Sequence, residues 1–192
     1  MTKPTLFLDR DGVINRRLPG DYVREPAQFD FLPGVLAVWP RLNALFQRII
    51  IITNQQGIGK GLMTETDLRW VHAYLRAEVA AAGGRLDGIY TCPHLRAAAC
   101  ACRKPKDGLV RQAMADFPDI QLAGAVLAGD SLSDLRLGAR LGLTNIWITT
   151  KEEDFSSIRE AQKAEEGFYI SAALPGLAAL PDWWLAQEGH SK

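Results

Sequence analysis

The sequence predicts an α/β protein with a doubly wound, mostly parallel sheet and helices on both faces. Short continuous apolar runs, Leu6-Phe7-Leu8, Ile49-Ile50-Ile51-Ile52 and Ala125-Val126-Leu127-Ala128, have the pattern of strands buried on both faces. Segments with apolar residues at helical spacing alternate with them, which argues for crossover connections. Several runs end in acidic, hydroxyl or amide residues, and open α/β sheets hold their ligands beyond the carboxyl ends of the strands.

The first strand, Leu6–Leu8, runs into Asp9-Arg10-Asp11-Gly12, where the glycine permits a sharp turn. Such an acidic turn often does no more than end a strand, so a chemical role depends on partners at other strand ends. Asn15 to Pro33 is rich in Pro, Gly and charge and reads as a long loop over the site. Loops of that length are uncommon in compact domains unless functional, which makes Asp21 and Tyr22 candidate substrate contacts. Val35, Val38, Leu42, Leu45 and Phe46 mark a helix, with Pro40 predicting a kink or a late start. The next strand, Arg48–Ile52, ends in Thr53-Asn54-Gln55-Gln56. Gly57-Ile58-Gly59-Lys60-Gly61 has neither dinucleotide-fingerprint spacing nor a P-loop Gly-Lys-Ser/Thr, and reads as a flexible connection.

Thr64-Glu65-Thr66-Asp67 resembles a capping box, and Leu68, Val71, Leu75 and Val79 form one face of the helix after it. His72 lies beside that face without a carboxylate or second histidine at helical spacing, so it reads as a surface or packing residue. Gly88–Thr91 predicts a short strand, and Leu109, Val110, Ala113, Met114 and Phe117 a helix stopped by Pro118. Ala125–Ala128 ends in Gly129-Asp130-Ser131-Leu132-Ser133-Asp134; a helix closing at Gly142 and a strand over Asn145–Ile148 come next. The tail, 151–192, is polar at first and then apolar to Trp183-Trp184, and is expected to dock back with its tryptophans packed on the core.

One domain over 1–192 is expected from the length. Lys plus Arg and Asp plus Glu both number 22, so there is no overall field to hold a polyanion or an anionic membrane. Nucleic acid and membrane are therefore not expected partners. The N-terminus enters the first strand without a signal-peptide stretch, and a cytoplasmic monomer is expected. Three cysteines argue against a simple disulfide framework. All three lie in one loop at 92–102 as Cys92-x-His94 and Cys100-x-Cys102, a common ligand set for structural, tetrahedral Zn²⁺.

The strand ends now carry Asp9 and Asp11, Thr53, and Asp130 with Asp134, while Lys104 lies just past the cysteines. These types in this order, from residue 6 to residue 148, resemble the haloacid dehalogenase superfamily of phosphotransferases. Its four motifs correspond to Asp9-Arg10-Asp11-Gly12, Thr53-Asn54, Lys104 and Gly129–Asp134. The resemblance implies a Rossmann-type fold and a Mg²⁺-dependent phosphatase. Asp9 would be the nucleophile, and Asp11 would protonate the leaving oxygen and then activate water. Asp9, Asp130 and the backbone carbonyl of Asp11 would hold Mg²⁺, Thr53 and Lys104 would bind phosphoryl oxygens, and Asp134 would orient Lys104 or a metal-bound water. Such types suit the reaction, because a dianionic ester repels a carboxylate and catalysis rests on positioning and charge neutralisation.

Within the superfamily, the loop ending in Cys102-Arg103-Lys104-Pro105 resembles the small phosphatases of histidinol phosphate and of D-glycero-D-manno-heptose 1,7-bisphosphate. Zinc would brace the loop and Arg103 would recognise a second anionic group of a small phosphorylated sugar. Asp9–Asn15 and Thr53–Ile58 favour the heptose enzyme, with Asn54, Gln55, Asp21, Tyr22 and Ser131 as further substrate contacts. Two positions depart from the pattern: Val13 replaces a common threonine, and Ser131 stands where heptose phosphatases often carry a basic residue. No inserted cap domain is expected. A receiver-like signalling module is the alternative of another class, but it would place its acceptor aspartate before Thr and Lys on a later strand, whereas here Thr53 comes early and Asp130 last. A zinc-braced binding protein would not need both Asp9 and Asp11.

Overall fold

Leu6 and Leu8 in the first strand, β1 (Thr5–Leu8), pack into one apolar cluster and Phe7 into another, and all three are fully buried. Period-two alternation with both faces apolar requires a sheet covered on both sides. The computed structural model, which describes residues 3–149 and 154–189, shows that arrangement. The remaining strands are β2 (Arg48–Asn54), β3 (Gly88–Cys92), β4 (Val126–Gly129), β5 (Thr144–Ile148) and β6 (Ala172–Leu174). They form one all-parallel sheet in the order β3-β2-β1-β4-β5-β6. Leu6 lies in register with Ile49 on one side and Val126 on the other. The winding direction reverses between β1 and β4, and the crevice at such a switch point is where open α/β sheets bind ligands.

The helices are α1 (Val35–Leu45), α2 (Glu65–Ala81), α3 (Gly108–Asp116), α4 (Leu132–Arg140), α5 (Asp154–Ala164) and α6 (Leu180–Gly189). Residues of α1 and α2, with Trp39 and Leu75 fully buried, cover the face of Leu6 and Leu8. Residues of α3 and α4 cover the face of Phe7, Ile50 and Ile52. At α2 the expected capping box is present: Thr64 accepts from the Asp67 backbone N–H and Asp67 accepts from that of Thr64.

The structure corrects several expectations. Of the two outcomes expected at Pro40, a kink or a late start, the late start does not occur: α1 starts at Val35 and runs through Pro40, with burial of Val35, Val38, Trp39 and Leu42 offsetting the hydrogen bond that proline lacks. Residues 15–33 form the expected loop, with one short 3-10 turn at Pro26–Gln28, and it is tied to its neighbours. Arg16 N–H donates to Asp30 O at 2.7 Å and Leu32 N–H to Ile14 O at 2.9 Å, and Phe29 stacks edge-on against Phe31 and Tyr74. The 57–61 segment connects β2 to α2, and backbone bonds tie it from Gly59 to Pro93 O, from Lys60 to Gln56 O and from Gly61 to Ile58 O. β6 has no counterpart among the expected strands, since three residues carry too little pattern to read. In the tail, Trp184 lies 5.4 Å from Phe46, and both tryptophans pack against the cluster under α1; residues 151–153 and 190–192 lie outside the described residues. None of the described helices is long and apolar enough to cross a membrane.

Candidate active site

Asp9 leaves β1 toward the switch point, with its own N–H bonded to Ala128 O of β4 at 3.0 Å. Its Oδ1 accepts from the Arg10 N–H at 2.7 Å and lies 2.8 Å from Lys104 Nζ. That ammonium also lies 2.6 Å from Asp134 Oδ1 and donates to Ile52 O at 2.7 Å, so three oxygens surround it. Lys104 is buried, and attraction from Asp134 and Asp9 overcomes the burial penalty and raises its pKa. Asp9 is itself raised to about 6, chiefly by burial and further by Asp134 and Asp11, with Lys104 acting in the opposite sense.

Two glycines permit close approaches here: Gly12 lets the turn after β1 reach the end of β4, and Gly129 lets α4 close on β4. A Cβ on Gly12, whose φ is +96°, would stand 1.9 Å from Asp130 Oδ2, and one on Gly129 would stand 2.2 Å from the Asp134 Cβ. Asp130 lies at the carboxyl end of β4; burial and the nearby Asp9 charge raise its pKa well above the ordinary value. Asp134 in the first turn of α4 is fully buried and accepts from the Ser131 N–H and hydroxyl.

Asp11 behaves differently. Burial pushes it up, but Arg10, Asn15 and Gln55 together hold it below the usual carboxylate range. Arg10 is fully buried and its Nη2 donates to both oxygens of Asp11 at 2.9 and 3.0 Å. Its Nη1 donates to His72 Nε2 of α2 at 3.1 Å, and the guanidinium sits 5.9 Å from the Phe29 ring centroid. His72, a surface or packing residue by its sequence pattern, is thus the acceptor behind Arg10; burial and that guanidinium depress its pKa to about 3.

A cavity of about 380 Å³ opens over this cluster. Asp9, Asp11, Thr53, Asn54, Arg103, Lys104, Ser131, Asp21 and Tyr22 all line it, from both sides of the switch point and from the 15–33 loop. Gln55 does not: it is fully buried beneath the floor and donates from Nε2 to Asp11 at 2.6 Å and Thr53 Oγ1 at 3.0 Å. The expected substrate contact is therefore a brace, because β2 turns its amide inward. Asn54 lines the cavity and also joins the Lys104 backbone, accepting from its N–H at 3.1 Å. Gln56, Ser133, Lys60 and Arg17 complete the polar wall; Ser133 falls within the Gly129–Asp134 motif, whereas no motif singles out Lys60 or Arg17. Lys60, 5.3 Å from the Tyr22 ring centroid, belongs to the segment whose spacing predicts only a connection. Arg17 Nη2 donates to Asp130 Oδ1 at 2.7 Å and to the Asp11 carbonyl at 3.1 Å.

Oxygens of Asp9, Asp130 and Asp134 lie within 4.8 Å of one another. This all-oxygen, carboxylate-rich set fits a hard divalent cation, and the guanidinium drawn among its members shows the local demand for positive charge. At the other end of the zinc-type loop, Cys92, His94, Cys100 and Cys102 converge. Their sulfurs are 3.2 to 3.5 Å apart, and His94 Nδ1 is 3.2 Å from Cys102 Sγ and 3.8 Å from Cys92 Sγ. A zinc tetrahedron with Zn–S of about 2.3 Å and Zn–N of about 2.0 Å has edges of roughly 3.5–3.8 Å, so this set is close to the required size.

The HAD-hydrolase-like family model matches residues 101–175. The chain is 47% identical over 132 residues, covering 69% of it and 70% of the relative, to the D-glycero-alpha-D-manno-heptose-1,7-bisphosphate 7-phosphatase of Mycobacterium tuberculosis. It is 37% identical over 137 residues, covering 71% of it and 75% of the relative, to the D-glycero-beta-D-manno-heptose-1,7-bisphosphate 7-phosphatase of Bordetella bronchiseptica. The crystal structure of D,D-heptose 1,7-bisphosphate phosphatase from B. bronchiseptica, complexed with magnesium and phosphate, superposes with a TM-score of 0.81 at 31% identity, covering 96% of this chain and 99% of that one.

Proposed function

Because the chain belongs to the heptose-1,7-bisphosphate 7-phosphatase family of haloacid dehalogenase-like hydrolases, we propose that it removes the 7-phosphate of D-glycero-D-manno-heptose 1,7-bisphosphate through a phosphoenzyme on Asp9. The observation that carries this reading is the convergence of Asp9, Asp11, Thr53 and Lys104 on one cavity at the switch point, with Asp130 joined to its wall through Arg17. Asp9, Asp130 and the Asp11 carbonyl would hold Mg²⁺. Bound there, the cation offsets repulsion between a phosphate dianion and the Asp9 carboxylate.

The chain's own residues divide the remaining work. Asp9 attacks phosphorus and displaces the sugar oxygen, while Thr53 and Lys104 bind the phosphoryl oxygens. Asp11 gives a proton to the departing oxygen and then takes one from the water that cleaves the aspartyl phosphate. Arg10 favours its carboxylate form, which suits the second half; the first half draws on the less populated protonated form. Arg103, Lys60 and Arg17 add positive charge to the wall, which suits a second phosphate better than the cationic amine of histidinol phosphate. Asn54, Asp21, Tyr22 and Ser131 are placed to contact the sugar or that second phosphate.

Zn²⁺ in the Cys92, His94, Cys100 and Cys102 cluster would fix the loop that delivers Arg103 and Lys104. Reduced thiols that would bind a metal, together with a phosphorylated sugar substrate, suit a cytoplasmic enzyme. The test is steady-state kinetics with Mg²⁺ on both heptose bisphosphate anomers and histidinol phosphate, using the native enzyme and Asp9→Asn. A kcat/KM preference for a heptose bisphosphate, abolished in Asp9→Asn with the fold retained, is expected. A preference for histidinol phosphate, or full activity in the variant, would overturn the reading.

A further inference from the structure

Arg17 Nη2 stands among three oxygens, 2.7 Å from Asp130 Oδ1, 3.1 Å from the Asp11 carbonyl and 3.8 Å from Asp9 Oδ2. These belong to the groups that the proposed function gives to Mg²⁺, and a role for Arg17 rests on that reading. A small divalent cation takes its oxygens at about 2.0–2.1 Å and in near-octahedral order, so it cannot share them with a guanidinium nitrogen already in contact with two. Like charge adds to the steric conflict. Arg17 must therefore leave these oxygens when the cation enters.

Its surroundings indicate where it goes. Arg17 is half-exposed and lines the cavity wall. The other cations nearest the acidic cluster are committed: Lys104 is locked between Asp9, Asp134 and Ile52 O, and Arg10 is buried on Asp11 and His72. Ser131, directly after Asp130, is uncharged and turned to Asp134. A released Arg17 thus leaves an unpaired positive charge on the cavity wall beside Asp130.

We propose that Arg17 competes with the divalent cation for these oxygens and, once displaced, binds a substrate phosphate, so that cation and phosphate bind with positive coupling. Each ligand then lowers the cost of seating the other: the cation releases the guanidinium, and the phosphate gives it a new partner.

The test uses full-length protein purified without chelator and titrated with Mn²⁺ by electron paramagnetic resonance, with and without inorganic phosphate. Native protein and Arg17→Gln are compared, with circular dichroism to confirm that the variant is folded. Without phosphate, Arg17→Gln should bind Mn²⁺ roughly fivefold or more tightly than the native protein, the lower end of ordinary coupling strengths. The further tightening caused by phosphate should be several-fold smaller in the variant. Equal Mn²⁺ affinity in the two proteins, or an equal gain from phosphate, would overturn the inference while leaving the phosphatase reading intact. Absence of Mn²⁺ binding in both proteins would overturn the inference and that reading together.

Discussion

Replacing His72 with glutamine tests whether the histidine behind Arg10 is a working part of the site. Arg10 can only donate, so at 3.1 Å His72 Nε2 must be the acceptor and the ring must be neutral. Burial and the Arg10 guanidinium, with Arg76 adding in the same sense and Asp11 opposing, depress its pKa from 6.5 to about 3. The sign comes from proton binding. Between those values the unfolded chain binds a proton that the native protein refuses, so stability is complete above 6.5 and is lost as pH falls below it. Between pH 8 and pH 5 the loss is about 2 kcal/mol, and at pH 5 it depends on the unfolded value far more than on the depressed one. Glutamine keeps an acceptor for Arg10 and does not titrate. Urea denaturation of both proteins at pH 8, 7, 6 and 5 should show the native protein losing about 2 kcal/mol more than His72→Gln, other titrating groups cancelling in the difference. His72→Leu, which leaves Arg10 Nη1 without its acceptor, should cost about 1.5–3 kcal/mol at pH 8 and lower kcat through Asp11. A native-minus-Gln difference that stays constant from pH 8 to pH 5 would refute the reasoning.

Two other outcomes are expected. Gly12→Ala places a Cβ 1.9 Å from Asp130 Oδ2 at a φ of +96°, so it should cost roughly 1–3 kcal/mol in urea denaturation and weaken Mn²⁺ binding; unchanged values for both would contradict the close approach of the turn after β1 to the end of β4. Cys100→Ser should lose the zinc measured by elemental analysis and melt roughly 5–10 °C lower, and an unchanged melt would count against a structural zinc.

Much of the site is legible in the chain because its residues sit where local rules apply. A buried strand ending in Asp9, another ending in Thr53 and a third leading to Asp130 can be read from apolar runs and the residues just past them. The cysteine loop is legible for the same reason, since its ligands fall within 92–102. Single side chains are harder. Gln55 belongs to the correct strand end, but which way its amide turns depends on Asp11 and Thr53 being there to receive it. Lys60 has no phosphate-loop motif around it, yet Gly59 N–H bonding to Pro93 O helps hold its turn at the cavity.

Neighbouring residues alone specify the alternating fold, the strand ends that carry the acids and the threonine, and the place of Lys104 after the cysteines. All of these are expressed as periodicity and spacing along the chain. Folding in three dimensions was needed for Arg10 to meet His72 across 62 positions and for Arg17 to meet Asp130 across 113. Partners so far apart are chosen by the packing of α2 on the sheet and by the return of the 15–33 loop, and no local pattern encodes either. The acids of the site and Lys104 are therefore readable in one dimension, whereas the contacts of Arg10 with His72 and of Arg17 with Asp130 become visible only when the fold brings these residues together.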